Sequence, residues 1–387
     1  MASASPSKRD TDSLVATVEA LCGKSGYPCT PRRALDDQLG MFATRRVAPG
    51  ERVASEEPLT LTPCESARPF VCAFCFADAR DKPPSKHGLP ARWSRRCATC
   101  RVLRFCSASC EAALSSRHHG YECSVLAMLA NEERETQQPV VAAEAADHLA
   151  QAIRLLADRH NGNAVQLSDE LTVAYADYRR RLVSPSSRAD EARMAIEQAH
   201  DVAMRAVPPL LASMPPSDLL DVLSRMNANV FAVCGRGARD LGRASFVGVL
   251  HLFNHSCAPN IAFDCVPMNA PSADGAAPSF CLVSLREIAA GEELLLSYVS
   301  TADEPQERRE HLQRYYGFEC TCERCAGADE EAHACRLAAL RCSLDECCTG
   351  YAVADTAEPR ARRCLHCGRQ QPAPAAPLAA RAAEDAV

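Results

Sequence analysis

Leu252-Phe253-Asn254-His255-Ser256-Cys257-Ala258-Pro259-Asn260 closes an apolar run, Phe246 to Phe253, with a polar turn. The run reads as a strand. Asn, His and Ser in succession make poor strand interior but good hydrogen-bonding surface. Cys257 is the odd member. Downstream, Cys320-x-Cys322-x-x-Cys325 sets three cysteines close enough together to take a zinc ion that lacks its fourth ligand. If Cys257 supplies that ligand, the metal pins the polar turn against the segment carrying Tyr315, Tyr316 and Phe318. Between the two lies Gly291-Glu292-Glu293-Leu294-Leu295-Leu296-Ser297-Tyr298, a turn and then a strand ending in tyrosine.

Asn-His-Ser-Cys-x-Pro-Asn, then Gly-Glu-Glu-Leu with Ser-Tyr, then Phe-x-Cys-x-Cys-x-x-Cys follow one another between Asn229 and Cys325. This series resembles the SET domain of protein lysine methyltransferases. The resemblance implies an α+β, multidomain chain: a SET β-clip of short sheets, interrupted by inserted modules and followed by a zinc-bound post-SET segment. It also implies methyl transfer from S-adenosylmethionine to a lysine of a histone or non-histone protein.

Composition bounds the alternatives. With 387 residues, 47% of them hydrophobic, the chain has room for two or three domains and a substantial core. A net charge of −6 and a pI near 6.0 argue against a protein that coats nucleic acid. No apolar run approaches the ~18 residues of a membrane helix, and residues 1–10 lack the apolar stretch of a signal peptide. The 23 cysteines, most in close pairs, read as zinc ligands in a reducing compartment rather than as disulfides. The expected location is the nucleus, the cytoplasm or both.

Residues 1–30 read as a loose lead with one short helix, Ser13 to Leu21. Residues 31–71 hold Leu39-Gly40-Met41-Phe42-Ala43 and Pro49-Gly50, read as strand, turn, strand. This resembles the opening of a SET domain, where a Gly-x-Gly turn presents backbone groups to the cofactor, but Gln38 stands at the first glycine.

Residues 72–123 are a zinc module: Cys72-x2-Cys75, Cys97-x2-Cys100, Cys106-x3-Cys110 and His119-x3-Cys123. Four close pairs suit two tetrahedral zincs. In so short a segment the metal replaces the core it cannot otherwise build. The series resembles a MYND finger. In that family the pairs alternate, which implies one zinc on Cys72, Cys75, Cys106 and Cys110 and another on Cys97, Cys100, His119 and Cys123. His118 is the rival of His119. The stretch between Cys75 and Cys97 is longer than the family usually allows, and it is basic: Arg80, Lys82, Lys86, Arg92, Arg95 and Arg96. A solvated loop is the better reading, because no aromatic ladder beyond Trp93 accompanies it. Nucleic acid is therefore not an expected partner.

Residues 124–226 are helical, with Ala150, Ile153, Leu156 and Ala157 at helical spacing. They resemble the insert that splits the SET domain in SET- and MYND-domain proteins. Residues 227–299 return to strands: Asn229 to Cys234, Ile261 to Phe263, and a hairpin of Phe280 to Leu285 with Glu293 to Tyr298. Residues 300–326 form the post-SET segment. Within residues 327–370, Cys342, Cys347, Cys364 and Cys367 suit a zinc ribbon carrying a fourth metal, with Cys335 and Cys348 as rivals. Residues 371–387 are Ala/Pro-rich and read as disordered.

The resemblance assigns S-adenosylmethionine to Asn254, His255 and Tyr298, the Leu39 and Gly40 backbone, Asn229, and Phe318 near the adenine. A lone His255 would be a satisfied core histidine; the surrounding motif makes it a site residue. The reaction is an in-line displacement by a neutral lysine amine, whose pKa burial beside a sulfonium lowers. Tyr298 is assigned the orienting hydroxyl. Tyr316, with Phe231, is assigned the wall of the lysine channel, and Tyr315 is the rival of Tyr316. Glu292 and Glu293 look catalytic but read as structural. The competing reading is an inactive SET scaffold whose finger binds proline-containing peptides.

Overall fold

The structure is a computed structural model. It describes residues 8–33, 39–82, 91–137, 143–160, 197–198, 200–205, 229–235, 239–246, 248–264, 278–316, 318–327, 330–340, 342, 351–354, 361–365 and 368–372. Gln38, Cys347 and Cys367 lie outside them, as do the side chains of His118, His119 and Tyr315.

Helix α1 (Lys8–Ser25) leads through Gly26, at φ 68°, into strand β1 (Cys29–Arg33). The lead is thus longer in helix than expected. β1 pairs antiparallel with β2 (Leu39–Ala43), setting Arg32 opposite Gly40. Strands β3 (Arg52–Glu56) and β4 (Thr60–Pro63) follow. β2 and β3 flank the Pro49-Gly50 turn but do not pair with each other; β2 stays with β1, and β3 finds a distant partner described below.

The cysteine-rich module contributes a two-stranded sheet, β5 (Arg95–Arg96) with β6 (Arg104–Phe105), and helix α2 (Ala108–Leu114), which Ser107 caps. Helices α3 (Gly120–Thr136) and α4 (Ala143–His160) come next. α4 buries Leu149, Ala150, Ile153, Leu156 and Ala157, the face its spacing predicts. It also buries Arg154, whose guanidinium forks onto Glu122 of α3 at 2.7 and 2.8 Å and bonds the Leu61 carbonyl of β4.

Beyond the helices, β7 (Val230–Cys234) and β8 (Asp240–Ser245) rejoin β4 in a sheet of order β4-β8-β7, with Thr60 opposite Ser245. β9 (Ile261–Asp264) and β10 (Phe280–Ser284) join β3 in the order β3-β10-β9. Both sheets mix strands from either side of the inserted modules. The sequence between β4 and β7 is therefore an excursion from one core, which holds Met41, Val53, Leu61, Phe246, Leu250, Phe253, Leu282 and Leu294.

Two expected strands are absent. The run Phe246 to Phe253 curls into a 3₁₀ turn at Leu250–Leu252. The Glu56 carboxylate causes this by accepting from the amides of Gly248, Val249 and Leu250 at 2.6, 2.9 and 3.1 Å. Residues Glu293 to Tyr298 form no hairpin with β10, and their amides and carbonyls go to two different neighbours, described below.

Near the end, β11 (Ala352–Ala354), β12 (Ala361–Cys364) and β13 (Gln370–Pro372) form a further three-stranded sheet. Val353 and Leu365 pack on Ala262, Cys281, Val283 and Leu285 of the β9-β10 layer, and Arg363 pairs with the buried Asp264. Gln371 and Pro372, in the stretch expected to lose order, thus complete a sheet edge.

Candidate active site and cysteine clusters

Three segments lie side by side at the centre of the molecule. β2 bonds residues 291–294 through Ala43 N to Glu292 O (2.9 Å) and Leu294 N to Met41 O (2.7 Å). The other edge of that segment takes the polar turn: Leu296 N donates to Asn254 O at 2.8 Å and Ser256 N to Leu296 O at 2.9 Å. Asn260 ties the turn shut, accepting from Leu295 N at 2.8 Å and donating to Glu293 O at 2.7 Å. A segment that divides its backbone bonds between two neighbours cannot also build a hairpin ladder, and the isolated bridges Phe42 to Glu293 and His255 to Leu296 mark where it is shared.

The side chains of the turn are held as firmly as its backbone. Asn254 Nδ2 donates to Leu39 O at 3.1 Å and to Glu293 Oε1 at 3.0 Å. His255 Nδ1 accepts from the Tyr298 amide at 3.0 Å. That fixes the tautomer, so the proton sits on Nε2, which lies 3.3 Å from Cys257 Sγ. Burial lowers the His255 pKa to about 4, so the ring is neutral. The Tyr298 hydroxyl donates to the Phe253 carbonyl at 2.6 Å. Burial first, then Tyr316 and Glu293, raise its pKa well above the ordinary phenol value, and burial pushes Tyr316 up to about 12. Both phenols therefore stay neutral.

These residues form one aromatic group. The Tyr298 and Tyr316 rings are 4.9 Å apart, and His255 lies 5.2 Å from Tyr298 and 5.8 Å from Phe318. Gly40 borders it: a methyl at that position would collide with Glu293 Oε1 and stand 3.0 Å from Asn254 Nδ2. The backbone at Leu39-Gly40 therefore approaches the Asn254 and Glu293 side chains closely, and a side chain at position 40 would displace the Glu293 carboxylate. A bare backbone edge, an amide and a neutral imidazole beside neutral aromatic faces suit a polar cofactor bearing a purine and a sulfonium. The residues present fit S-adenosylmethionine. Asn229 is buried at the start of β7. Phe231 packs on the same core as Tyr298, but its ring partners are Phe246 (5.3 Å) and Phe263 (4.9 Å).

The structure gathers the cysteines into three groups, within each of which the sulfurs lie inside 4.8 Å of one another: Cys72, Cys75, Cys106 and Cys110; Cys97, Cys100 and Cys123; and Cys257, Cys320, Cys322 and Cys325. Measured pairs run from 3.5 Å for Cys75 with Cys106 to 4.0 Å for Cys257 with Cys320. A tetrahedron of thiolates on zinc spaces its sulfurs by about 3.8 Å, whereas a disulfide needs about 2.05 Å. The spacing fits zinc. The pairs interleave in the alternating pattern. Cys342 and Cys364 are buried together beside the last sheet.

Sequence reasoning missed two supports: Glu56 curls the approach to the turn, and Arg308, Arg324 and the partly exposed Glu330 form a network under the third cysteine group. Glu293, read as structural, buttresses Asn254. The arginines sit in a charged stretch where nothing separates a buried cation from a solvated one.

The SET domain family model matches residues 38–299. The chain is 26% identical over 294 residues to the histone-lysine N-methyltransferase SMYD3 of Mus musculus, covering 76% of this chain and 60% of that one. It is 26% identical over 325 residues to the histone-lysine N-methyltransferase ASHR1 of Arabidopsis thaliana, covering 82% and 59%. The chain thus spans about three fifths of the length of these curated relatives. A solved structure of the SET domain of LSMT bound to lysine and AdoHcy aligns with 80% of this chain at 13% identity and a TM-score of 0.43.

Proposed function

Because the chain belongs to the SET domain family, we propose that it is a protein lysine N-methyltransferase that uses S-adenosylmethionine. One observation carries the reading: Tyr298 is anchored at both ends to the turn, its amide on His255 Nδ1 and its hydroxyl on the Phe253 carbonyl, facing Tyr316 at 4.9 Å. S-adenosylmethionine supplies an electrophilic methyl group on a positive sulfur. Asn254, His255, Asn229 and the Leu39-Gly40 backbone would hold the cofactor, with Phe318 offering an aromatic face to its adenine. With its proton spent on Phe253, the Tyr298 oxygen presents lone pairs to a polarised methyl and to an incoming amine. Tyr316 walls the lysine channel, with Phe231 in the aromatic layer behind. A neutral, water-poor channel disfavours the ammonium form and so favours the lysine amine that can attack. Alignment supplies most of the rate.

The Cys72–Cys123 module is read as a MYND-type finger holding two zincs, with His119 completing the group of Cys97, Cys100 and Cys123. Proline-containing peptides are its proposed partners. Cys257, Cys320, Cys322 and Cys325 hold a post-SET zinc, and Cys342, Cys347, Cys364 and Cys367 a fourth. Histones are the first substrates to test, and the nucleus or the cytoplasm is the proposed location; among the described residues no helix is long and apolar enough to cross a membrane. The test is incubation with S-adenosylmethionine and a histone and cell-extract mixture, followed by mass spectrometry of lysines. A mass gain of one methyl group on lysine is expected. Intact cofactor binding with no methylated lysine on any protein would overturn the reading in favour of a peptide-binding scaffold.

A further inference from the structure

Cys22 and Cys29 form a close pair apart from the three cysteine groups. Each is 2% exposed, and their sulfurs lie 3.8 Å from one another. A helix stop brings them together. The chain leaves α1 through Gly26, whose φ of 68° reverses its course, and Tyr27 N donates back to Cys22 O at 3.0 Å. Cys22 thus sits in the last turns of α1, on the side that enters the main core with Val18, and Cys29, the first residue of β1, returns against it. The returning segment is seated on β3: Cys29 Sγ lies 3.9 Å from Val53 O, and the Tyr27 hydroxyl bonds Ser55 O and, at 3.2 Å, Ser55 Oγ. The cover over the pair is thin. Gly23, Lys24, Ser25 and Gly26 are all exposed, and Leu21 is an exposed apolar side chain.

Two buried thiols in contact can be packed apolar groups and nothing more. Here the pair also meets the needs of disulfide chemistry. The sulfurs must close from 3.8 Å to about 2.05 Å, a small movement at a helix end, where helices fray most readily. The contact with Cys29 lowers the Cys22 pKa, and the same contact raises that of Cys29, so Cys22 ionises first. We propose that Cys22 and Cys29 are a redox-sensitive dithiol, which a peroxide converts to a disulfide that fastens the end of α1 to β1. The Cys22 thiolate attacks a peroxide oxygen, the O–O bond breaks, and Cys22 becomes a sulfenic acid as hydroxide leaves. Cys29 then attacks the sulfenic sulfur; the S–S bond forms and the sulfenic oxygen departs with the Cys29 proton as water. With hydrogen peroxide, two thiols and one peroxide give one disulfide and two waters, two electrons passing from sulfur to oxygen. A dithiol reductant reverses the bond, in keeping with free thiols in the resting chain. The strand so fastened is the partner of β2 and sets Arg32 opposite Gly40, at the border of the candidate cofactor site.

The test takes the full chain, reduced and then freed of reductant, and titrates it with hydrogen peroxide over the range in which metal per chain stays constant. Each sample is blocked with N-ethylmaleimide, digested with trypsin and read by mass spectrometry. Trypsin cuts after Arg9, Lys24 and Arg32, so the disulfide joins the peptide Asp10–Lys24 to the peptide Ser25–Arg32, with the loss of two hydrogens. The linked pair is expected to grow with peroxide, to disappear on adding dithiothreitol and to be missing from Cys22→Ala. Brief digestion of the folded protein gives a second reading, because exposed Lys24 lies inside the loop that the bond closes. Cleavage there is expected to free residues 1–24 from the reduced chain at once, and from the oxidised chain only after reductant is added. Both readings are made on the wild-type chain and stand whether or not Cys22→Ala folds. Cys22 and Cys29 fully blocked by N-ethylmaleimide across the titration, either of them carrying added oxygen without the link, or either linked mainly to a different cysteine would overturn the proposal.

Discussion

Asn254 shows how much of the candidate site rests on single residues. Its amide is shared between Leu39 O and Glu293 Oε1, so it joins the turn to β2 and to the acidic segment at once. Asn254→Ala deletes both bonds and is expected to cost about 1–3 kcal/mol of stability and to weaken S-adenosylmethionine binding at least tenfold, measured by denaturant unfolding and calorimetric titration. Gly40→Ala pushes a methyl at the same Glu293 oxygen and is expected to harm cofactor binding more than folding. His251 gives a pH dependence. Burial lowers its pKa from 6.5 to about 4, and neither ring nitrogen has a partner. The unfolded chain therefore binds a proton that the folded one refuses, and stability falls as pH drops from about 6.5 toward about 4. Between about pH 7 and about pH 5 the loss attributable to His251 is about 2 kcal/mol. His251→Phe is expected to remove that increment from the pH dependence of the unfolding midpoint; an unchanged slope would refute it.

At the scale of elements, the buried pair of Arg154 and Glu122 locks α4 to α3 and to β4. Arg154→Met removes the guanidinium paired with the buried Glu122 carboxylate and is expected to cost about 3–5 kcal/mol by denaturant unfolding; pairing it with Glu122→Leu should recover most of the loss. This is also the scale at which the sequence was hardest to read. The helical face of α4 was legible because its period is local. The strands Val230–Cys234, Ile261–Asp264 and Phe280–Ser284 were legible from their apolar runs. Phe246 to Phe253 was misread because its curl depends on Glu56, a residue nearly two hundred positions earlier. Residues 293–298 were misread for a related reason: sharing backbone bonds between two neighbours leaves no trace in the alternation of side chains.

Across the whole molecule, the motifs revealed more than the fold did. Cysteine spacing announced the grouping of side chains far apart in sequence, because the needs of a tetrahedral ion are written in short intervals. The buried cations that accompany the third group were not legible, since a charge's partner is set by tertiary packing. Zinc analysis of the intact chain is expected to return three per chain, and a fourth where Cys342 and Cys364 are completed; two or fewer would contradict the assignments. Strong chelation is expected to unfold the cysteine module first, because little apolar core beyond Phe74, Leu103, Phe105 and Leu114 remains to hold it.

The most direct measurement is transfer of labelled methyl from S-adenosylmethionine to protein by the intact chain and by Tyr298→Phe. The substitution removes only the hydroxyl bonded to Phe253 and is expected to leave cofactor binding within a few-fold of wild type. The account predicts label on lysine with the intact chain and a fall of about 100-fold or more in the variant. Equal labelling by the two proteins would contradict the role given to Tyr298, and cofactor binding without label from the intact chain on any protein would contradict the activity itself.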